Sequence, residues 1–419
     1  MFKSLKGLFS SKNKDLRKRI YITLAILAIF GLGTNIVVPH AKSITQNLDF
    51  LDLLNLMSGG SLKTFSIFAL GVMPYISATI LTQLLQMDII PYFKELKEQG
   101  ATGRQKINKI NRYLGILFAF VQGYIYSVAF MGGSTIEILK TTIILTAGTS
   151  LLLWLADVVT NKGLGNGISL FIMAGIVNTL PSTFITAFKD LILADTFTRV
   201  VGISLFVLFI IAYLVILVGV VYMQISERRI PIQHSQRTDS SYNQEQSYIP
   251  LKLNSASVMP VIFASSLISI PSLIAAFVKK DSFSLFVNKY INYNTVTGFI
   301  LYILLIVLFS YLYTFMAGLK PKELSENLNK QGGYIPGVRP GNETKGYISK
   351  VLSRTTFLGA LFLIVIAGLP IIVTNLSSLP TSVTVGGTGL LIVVGVALET
   401  YNQIESTMSA RKYERGYRR

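Results

Sequence analysis

Apolar residues in this chain run in long blocks, without the spaced rhythm of a helix that hides one face from water. The blocks cover about 20–38, 72–87, 113–131, 142–160, 167–181, 200–224, 256–278, 297–318, 355–376 and 386–405. Most approach the ~20 residues a helix needs to cross a bilayer core. The block at 167–181 is short, so it must tilt little, extend into its polar flanks, or bend. The pattern predicts ten membrane-spanning helices with both chain ends on one side. Residues 1–19 carry seven Lys/Arg ahead of the first block, as a signal peptide would. That block is longer than the ~7–15 apolar residues of a signal, and Pro39-His40-Ala41 is a poor cleavage site, so it reads as a first span.

The stretch SGGSLKTFSIFALGVMPYISATILTQLL, 58–85, breaks the pattern. It is too apolar for a loop, and Gly59, Gly60, Gly71 and Pro74 interrupt it as a span. Interrupted backbone survives at membrane depth only where protein or enclosed water satisfies it. This stretch is therefore expected to line an internal aqueous cavity. Val72 and Ile76 lie four apart, on one face of the piece after Gly71. Ile172, Ile262 and Ile392 sit in other spans beside Gly, Pro or Ser. From the residues alone each of these reads as core packing or lipid contact rather than as a functional position.

Composition sharpens the class. Charged residues are 14% of the chain, against about a quarter in soluble domains, and mean hydropathy is +0.56. The net charge of +18 follows topology: with both ends cytosolic, 30 of the 38 Lys/Arg fall in inside segments and 8 outside. The longest inside segments are 224–254 and 318–354. Two five-span halves, 20–195 and 196–406, would face opposite ways as inverted repeats do. A basic segment (1–19) and a basic tail (407–419) flank them.

Catalytic chemistry is sparse. There is no cysteine, and the histidines, His40 and His234, both sit in loops. No phosphate loop, H-E-x-x-H or G-x-S-x-G is present. GLGNGIS (163–169) and GGYIPGVRPG (332–341) read as turns. Asp157 and Glu399, near span ends, are the acids an ion-coupled carrier could use; the alternative is end solvation or a local ion pair. Arg339, set between Gly and Pro, is either topological charge or a grip for an acidic partner or RNA phosphate. No catalytic, cofactor or metal residue is assigned. A solute transporter and an intramembrane enzyme remain as competing classes.

The blocks at 58–85, KEQGATGRQKINKINRY (97–113), WLADVVTNKGLGNGIS (154–169), ERRIPIQ, IPLKLNSASVMPVIFASS (249–266), GGYIPGVRPG and GGTGLLIVV (386–394) closely resemble the SecY family of protein-export channel subunits. The resemblance covers nearly the whole chain in order. It implies an all-α membrane protein of ten helices, in two inverted five-helix halves around an hourglass pore. Secretory polypeptides would cross through this pore, and membrane helices would leave sideways through a lateral gate. Carried over position by position, the constriction would be Val72, Ile76, Ile172, Ile262 and Ile392, whose branched side chains can dewet and bar ions. A plug helix within about 58–70 would close it, with Gly59, Gly60, Leu62, Phe65, Ile67 and Phe68. Ser77, Gln122, Ser265 and Ser266 would meet across the lateral gate. Arg228, Arg229 and Arg339 would dock the ATPase SecA or the ribosome. SecE and SecG are the expected companion subunits, and the bacterial plasma membrane the expected location. Segment 224–254 is less basic than usual, Gly389 stands where Ser is common, and WLAD replaces WLGE.

Overall fold

A computed structural model of the chain describes residues 14–39, 55, 58–62, 64–86, 90–130, 134–193, 199–234, 247–278, 281–292, 295–316, 320–376 and 386–417. Helices dominate. In order they are α1 (Lys14–Gly33), α2 (Met73–Leu85), α3 (Pro91–Glu98), α4 (Gly100–Phe130), α5 (Thr135–Lys162), α6 (Gly167–Phe188), α7 (Arg199–Ile225), α8 (Met259–Val278), α9 (Asp281–Tyr290), α10 (Val296–Met316), α11 (Pro321–Lys330), α12 (Asn342–Leu376) and α13 (Gly386–Tyr417). Four short strands are β1 (Glu227–Pro231), β2 (Gln233–His234), β3 (Tyr248–Lys252) and β4 (Gly333–Tyr334). A helix falls in every one of the ten apolar blocks. Six of the described helices are long and apolar enough to cross a membrane: α4, α5, α6 with its continuation, α7, α10 and α12. The chain is a multi-pass membrane protein.

The short sixth helix gains its length by extension. α6 continues past Pro181 and passes into one π-helical turn, Lys189–Leu193. Its start is fixed locally by Asn166, whose Oδ1 accepts from the amides of Ile168 and Ser169. This N-cap satisfies donors the first helical turn leaves orphaned. The preceding turn is held by the Thr23 hydroxyl, which accepts from Leu164 N at 3.0 Å, and by Gln403 Oε1, which accepts from Gly165 N at 2.6 Å. GLGNGIS is thus a turn joining α5 and α6 and braced by α1 and α13.

The contacts repeat between the halves. In the first, α2 touches α4, α4 touches α5, α5 touches α6, and α1 touches α6. In the second, α8 touches α10, α10 touches α12, α12 touches α13, and α7 touches α13. Each pairing maps onto its counterpart five spans later. Because five is odd, equivalent spans cross in opposite directions, which makes the repeat an inverted one. The boundary expected at 195/196 lies outside the described residues.

Two expectations change. The segments 224–254 and 318–354 are not simple loops: β1 pairs antiparallel with β3, β2 with β4, and residues 321–330 and 342–354 are helical. Ile230, Leu251, Leu328, Ile335 and Ile348 form a small separate apolar core beneath these elements. Burial of that core folds two segments distant in sequence into one unit. The expected plug helix within about 58–70 is not helical among its described residues. Its described residues form turns and one bridge, and the helical residue there is Asn55, just before them. Gly60 N donates to Asn55 C=O at 2.8 Å while Gly59 sits at φ +76°. The hydrogen bond closes a turn through Gly59 in a conformation a side chain disfavours.

Candidate functional site

Residues 58–62 and 64–72 form a tight plate seated among α1, α5 and α6. Inside it, the Ser61 hydroxyl lies 2.6 Å from the Ser58 carbonyl and 2.9 Å from that of Phe68. Phe65 takes a left-handed φ of +51° and is fully buried. Its strain is offset by a two-bond bridge to the chain after α1: Val38 N donates to Phe65 C=O, and Ile67 N to Ile36 C=O, both at 2.9 Å. Phe68 stacks on Phe30 at 6.0 Å, and Phe30 meets Phe171 at 5.2 Å. Gly148 admits the plate's backbone, since a Cβ there would stand 2.1 Å from the Ile67 carbonyl oxygen. Asn178 Nδ2 donates to Gly59 C=O at 2.9 Å. The hydroxyls of Ser66 and Thr149 are buried without a partner among the described residues.

The five branched residues come from four separate segments. Val72 comes just before α2, Ile76 from α2, Ile172 from α6, Ile262 from α8 and Ile392 from α13. Each is 3–5% exposed, and all five share one continuous buried cluster with Leu62, Phe65 and Phe68. Both halves therefore contribute to one buried apolar cluster that also takes in residues of the plate. Gly59, Gly60 and Ile67 belong to the same plate, Ile67 being partly buried against the cluster.

The two seams between the halves differ in chemistry. At the back, α6 and α7 interlock through rings: Phe184 with Tyr213 at 5.1 Å, Phe188 with Phe206 at 5.4 Å, and Phe184 with Phe209 at 5.8 Å. Edge-on pairs of this kind add about 0.5–1.5 kcal/mol each beyond their burial. At the front, α8 meets α2 and α4 around a cavity of about 20 Å³ lined by Ser77, Gln122, Tyr126, Ser266, Ser269 and plate residues. That space admits one water molecule. Ser266 Oγ is buried there and has no hydrogen-bond partner among the described residues. The back seam is an apolar clasp, and the front seam is polar and incompletely packed.

Three of the four expected gate residues meet at this cavity. Ser265 does not: its hydroxyl faces the Val261 and Ile262 carbonyls of its own helix, at 2.8 and 3.0 Å. Ser269 takes its place, three residues after Ser266 and so on the same helical face. That i, i+3 spacing was the available signal. Asn178, a lone amide in an apolar run, also escaped notice.

At the basic end, β1 splits its two arginines. Strand alternation sends Arg229 to the outer face with Glu227 and Tyr248. Its Nε donates to Glu227 Oε1 at 2.8 Å, and its guanidinium sits 4.6 Å from the Tyr248 ring centre. The hydrogen bond to Glu227, then the neighbouring Tyr248, raises the Arg229 pKa. Arg228, on the opposite face, is exposed. Arg339 is exposed too, on a backbone held by Thr344, whose hydroxyl donates to the Arg339 carbonyl at 2.8 Å. The unit that carries these arginines is the small core described above.

The two membrane-edge acids do not form a buried carrier site. Asp157 pairs with Arg112 of α4, both side chains being about half exposed (40% and 48%). Glu399 is exposed. No group of three or more His, Cys, Asp or Glu that could hold a metal occurs among the described residues.

The geometry agrees with what known proteins show. The model of the SecY family matches residues 66–401. The protein translocase subunit SecY of Staphylococcus carnosus (strain TM300) is 41% identical over 429 residues, covering 99% of each chain. Two solved structures share the fold at 20% identity and a TM-score of 0.66, covering 93% of this chain and 92% of theirs. One is a SecY protein whose plug domain stabilises the closed state of the translocation channel and maintains a membrane seal. The other is Sec61 in a canine ribosome–channel complex from the endoplasmic reticulum. A buried apolar cluster drawn from both halves, a seated plate and a polar front seam are thus found on a chain that belongs to the SecY family.

Proposed function

We propose that this chain is the pore-forming subunit of a protein translocase, a channel without catalytic activity of its own. One observation carries the reading: branched residues from four separated segments, drawn from both halves, are all buried in one continuous apolar cluster that also holds Leu62, Phe65 and Phe68. Apolar constrictions exclude ions by dewetting yet yield to side chains of many shapes. Residues 58–70 act as the plug, and opening at the polar seam between α2–α4 and α8 releases membrane helices to lipid. The aromatic back seam serves as the hinge. Each half, 20–195 and 196–406, moves as one leaf.

The basic unit of β1–β4, α11 and the start of α12 faces the cytosol of a bacterial cell and docks the motor SecA or a translating ribosome. Association of a relative of the same fold with a ribosome supports the second partner. SecE and SecG complete the complex in the plasma membrane, and both termini lie inside. Energy comes from the partner. Among the described residues no Asp or Glu is buried, whereas the competing transporter reading expects an ionisable group deep in the bilayer.

Reconstitution tests the proposal. Vesicles holding this chain with its companion subunits, given SecA and ATP, should protect an added secretory precursor from external protease. Protection at the level of vesicles without this chain would reject the channel role.

A further inference from the structure

Between α8 and α10 the chain forms a helix too short to cross the membrane. α9 has 10 residues, about 15 Å at the α-helical rise and about half of what a bilayer core requires. α8 leads into it from the basic unit of β1–β4 and α10 leads back to that unit, so α9 lies on the opposite side of the membrane. It touches both of these helices. Its far end is pinned to the start of α10. The Thr297 hydroxyl donates to the Lys289 carbonyl at 3.3 Å, and Thr295 N donates to Asn292 C=O at 2.9 Å. A Cβ at Gly298 would collide with that same Asn292 carbonyl. α9 is thus held at the level where two spans leave the bilayer.

The helix keeps few of its apolar side chains for the protein. Val287 is fully buried, with Phe283 and Ser284 half-buried beside it. Leu285, Phe286 and Tyr290 point away and are 68%, 52% and 44% exposed. This apolar face adjoins the exposed start of α10, where Val296, Ile300 and Leu304 recur at four-residue spacing along one side. In a multi-pass protein such a row meets lipid. Lys289 is exposed on the same face of α9, its Nζ 5.4 Å from the Tyr290 ring centre. A lysine stem lying along apolar surface with its ammonium at a polar boundary is the arrangement of an interfacial side chain. Of the eight Lys/Arg that the sequence pattern puts on this side, Lys279, Lys280 and Lys289 flank or belong to α9, against one acid, Asp281. That balance suits a surface of lipid phosphates.

We propose that α9 is an interfacial anchor, its Leu285, Phe286 and Tyr290 face seated in the head-group zone of the leaflet opposite the basic unit, with Lys289 on lipid phosphate. The occupant is lipid, since one face of a 10-residue helix falls far short of the about 800 Å² per partner that a stable protein pair buries. The face is also continuous with the lipid-facing row of α10. Because α8 forms one side of the front seam, the anchor sets the depth of that seam's far end. The proposal goes beyond the channel reading and does not depend on it.

Site-directed fluorescence tests the anchor. The chain has no cysteine, so Leu285→Cys and Phe286→Cys each create a single site for an environment-sensitive fluorophore. Both side chains are exposed, so the substitutions leave the packing of α9 intact. The labelled chain, with cysteine-free companion subunits, is placed in vesicles of phosphatidylethanolamine and phosphatidylglycerol. Lipid spin-labelled near the head group should remove most of the emission from both probes. Lipid labelled near the chain end should remove less, and aqueous iodide little. Dominant quenching by iodide would put the face in water and overturn the anchor. Shielding from lipid and iodide alike would give the face to a protein partner and overturn it too. Strongest quenching by the deep label would refute the interfacial depth. No step of this experiment uses translocation, so its failure and failure of the channel reading are distinguishable.

Discussion

Ile392→Asn should loosen the closed channel and let precursors with defective signal sequences through. Ile392 is 5% exposed and contributes from α13 to the buried ring cluster. An amide placed there has no dedicated partner, and burying one unpaired costs about 1–3 kcal/mol by protein mutational measures. Opening the ring lets water reach the amide, so that cost falls on the closed state. At roughly 2 kcal/mol, the closed-to-open ratio drops about thirty-fold. The same change removes a branched apolar wall from a dewetted constriction, which acts in the same direction. Export of a signal-defective reporter, relative to an intact one, reads the effect. Unchanged stringency would remove Ile392 from the ring.

Arg339→Glu should cut SecA-driven export at least about thirty-fold, since under the proposed docking role reversing an anchor costs about 2 kcal/mol or more at interface hot spots. The backbone there is held by the Thr344 hydroxyl and by the Ser325 hydroxyl, which donates to Gly341 C=O at 2.8 Å. Neither contact uses the guanidinium, and Arg339 is exposed, so fold and membrane insertion should be unaffected. Arg229→Glu offers a contrast. Arg229 is already engaged by Glu227 and Tyr248 within its own sheet, so reversal there first disturbs β1–β3. Export rates of the two variants, with accumulation of the chain as control, separate docking from folding. Normal export by Arg339→Glu would end its docking role.

The helices were legible because membrane spans announce themselves by length and apolarity, and because 30 of 38 basic residues lie on one side of the ten-span pattern. The facing of each helix was not. A span with lipid on one side and protein on the other is apolar all round, so periodicity does not say that Ser266 and Ser269 face the seam while Ser265 turns to its own carbonyls. The plug was expected at 58–70 from the family resemblance alone, and Gly59 and Phe65 set the backbone there through positive φ, a property carried by few residues. The unit joining 224–254 to 318–354 escaped because β-pairing between Gln233 and Tyr334 is non-local. Asp157 needed Arg112, 45 residues away in sequence, to be read as half of an ion pair.

The central claim is that a polypeptide passes through the ring. Photocrosslinking probes along a secretory chain stalled in mid-translocation test it most directly. Probes at the depth of the constriction should yield adducts with Ile76, Ile262 and Ile392, from both halves at once. Adducts confined to residues outside the ring, with none at these three, would contradict the account.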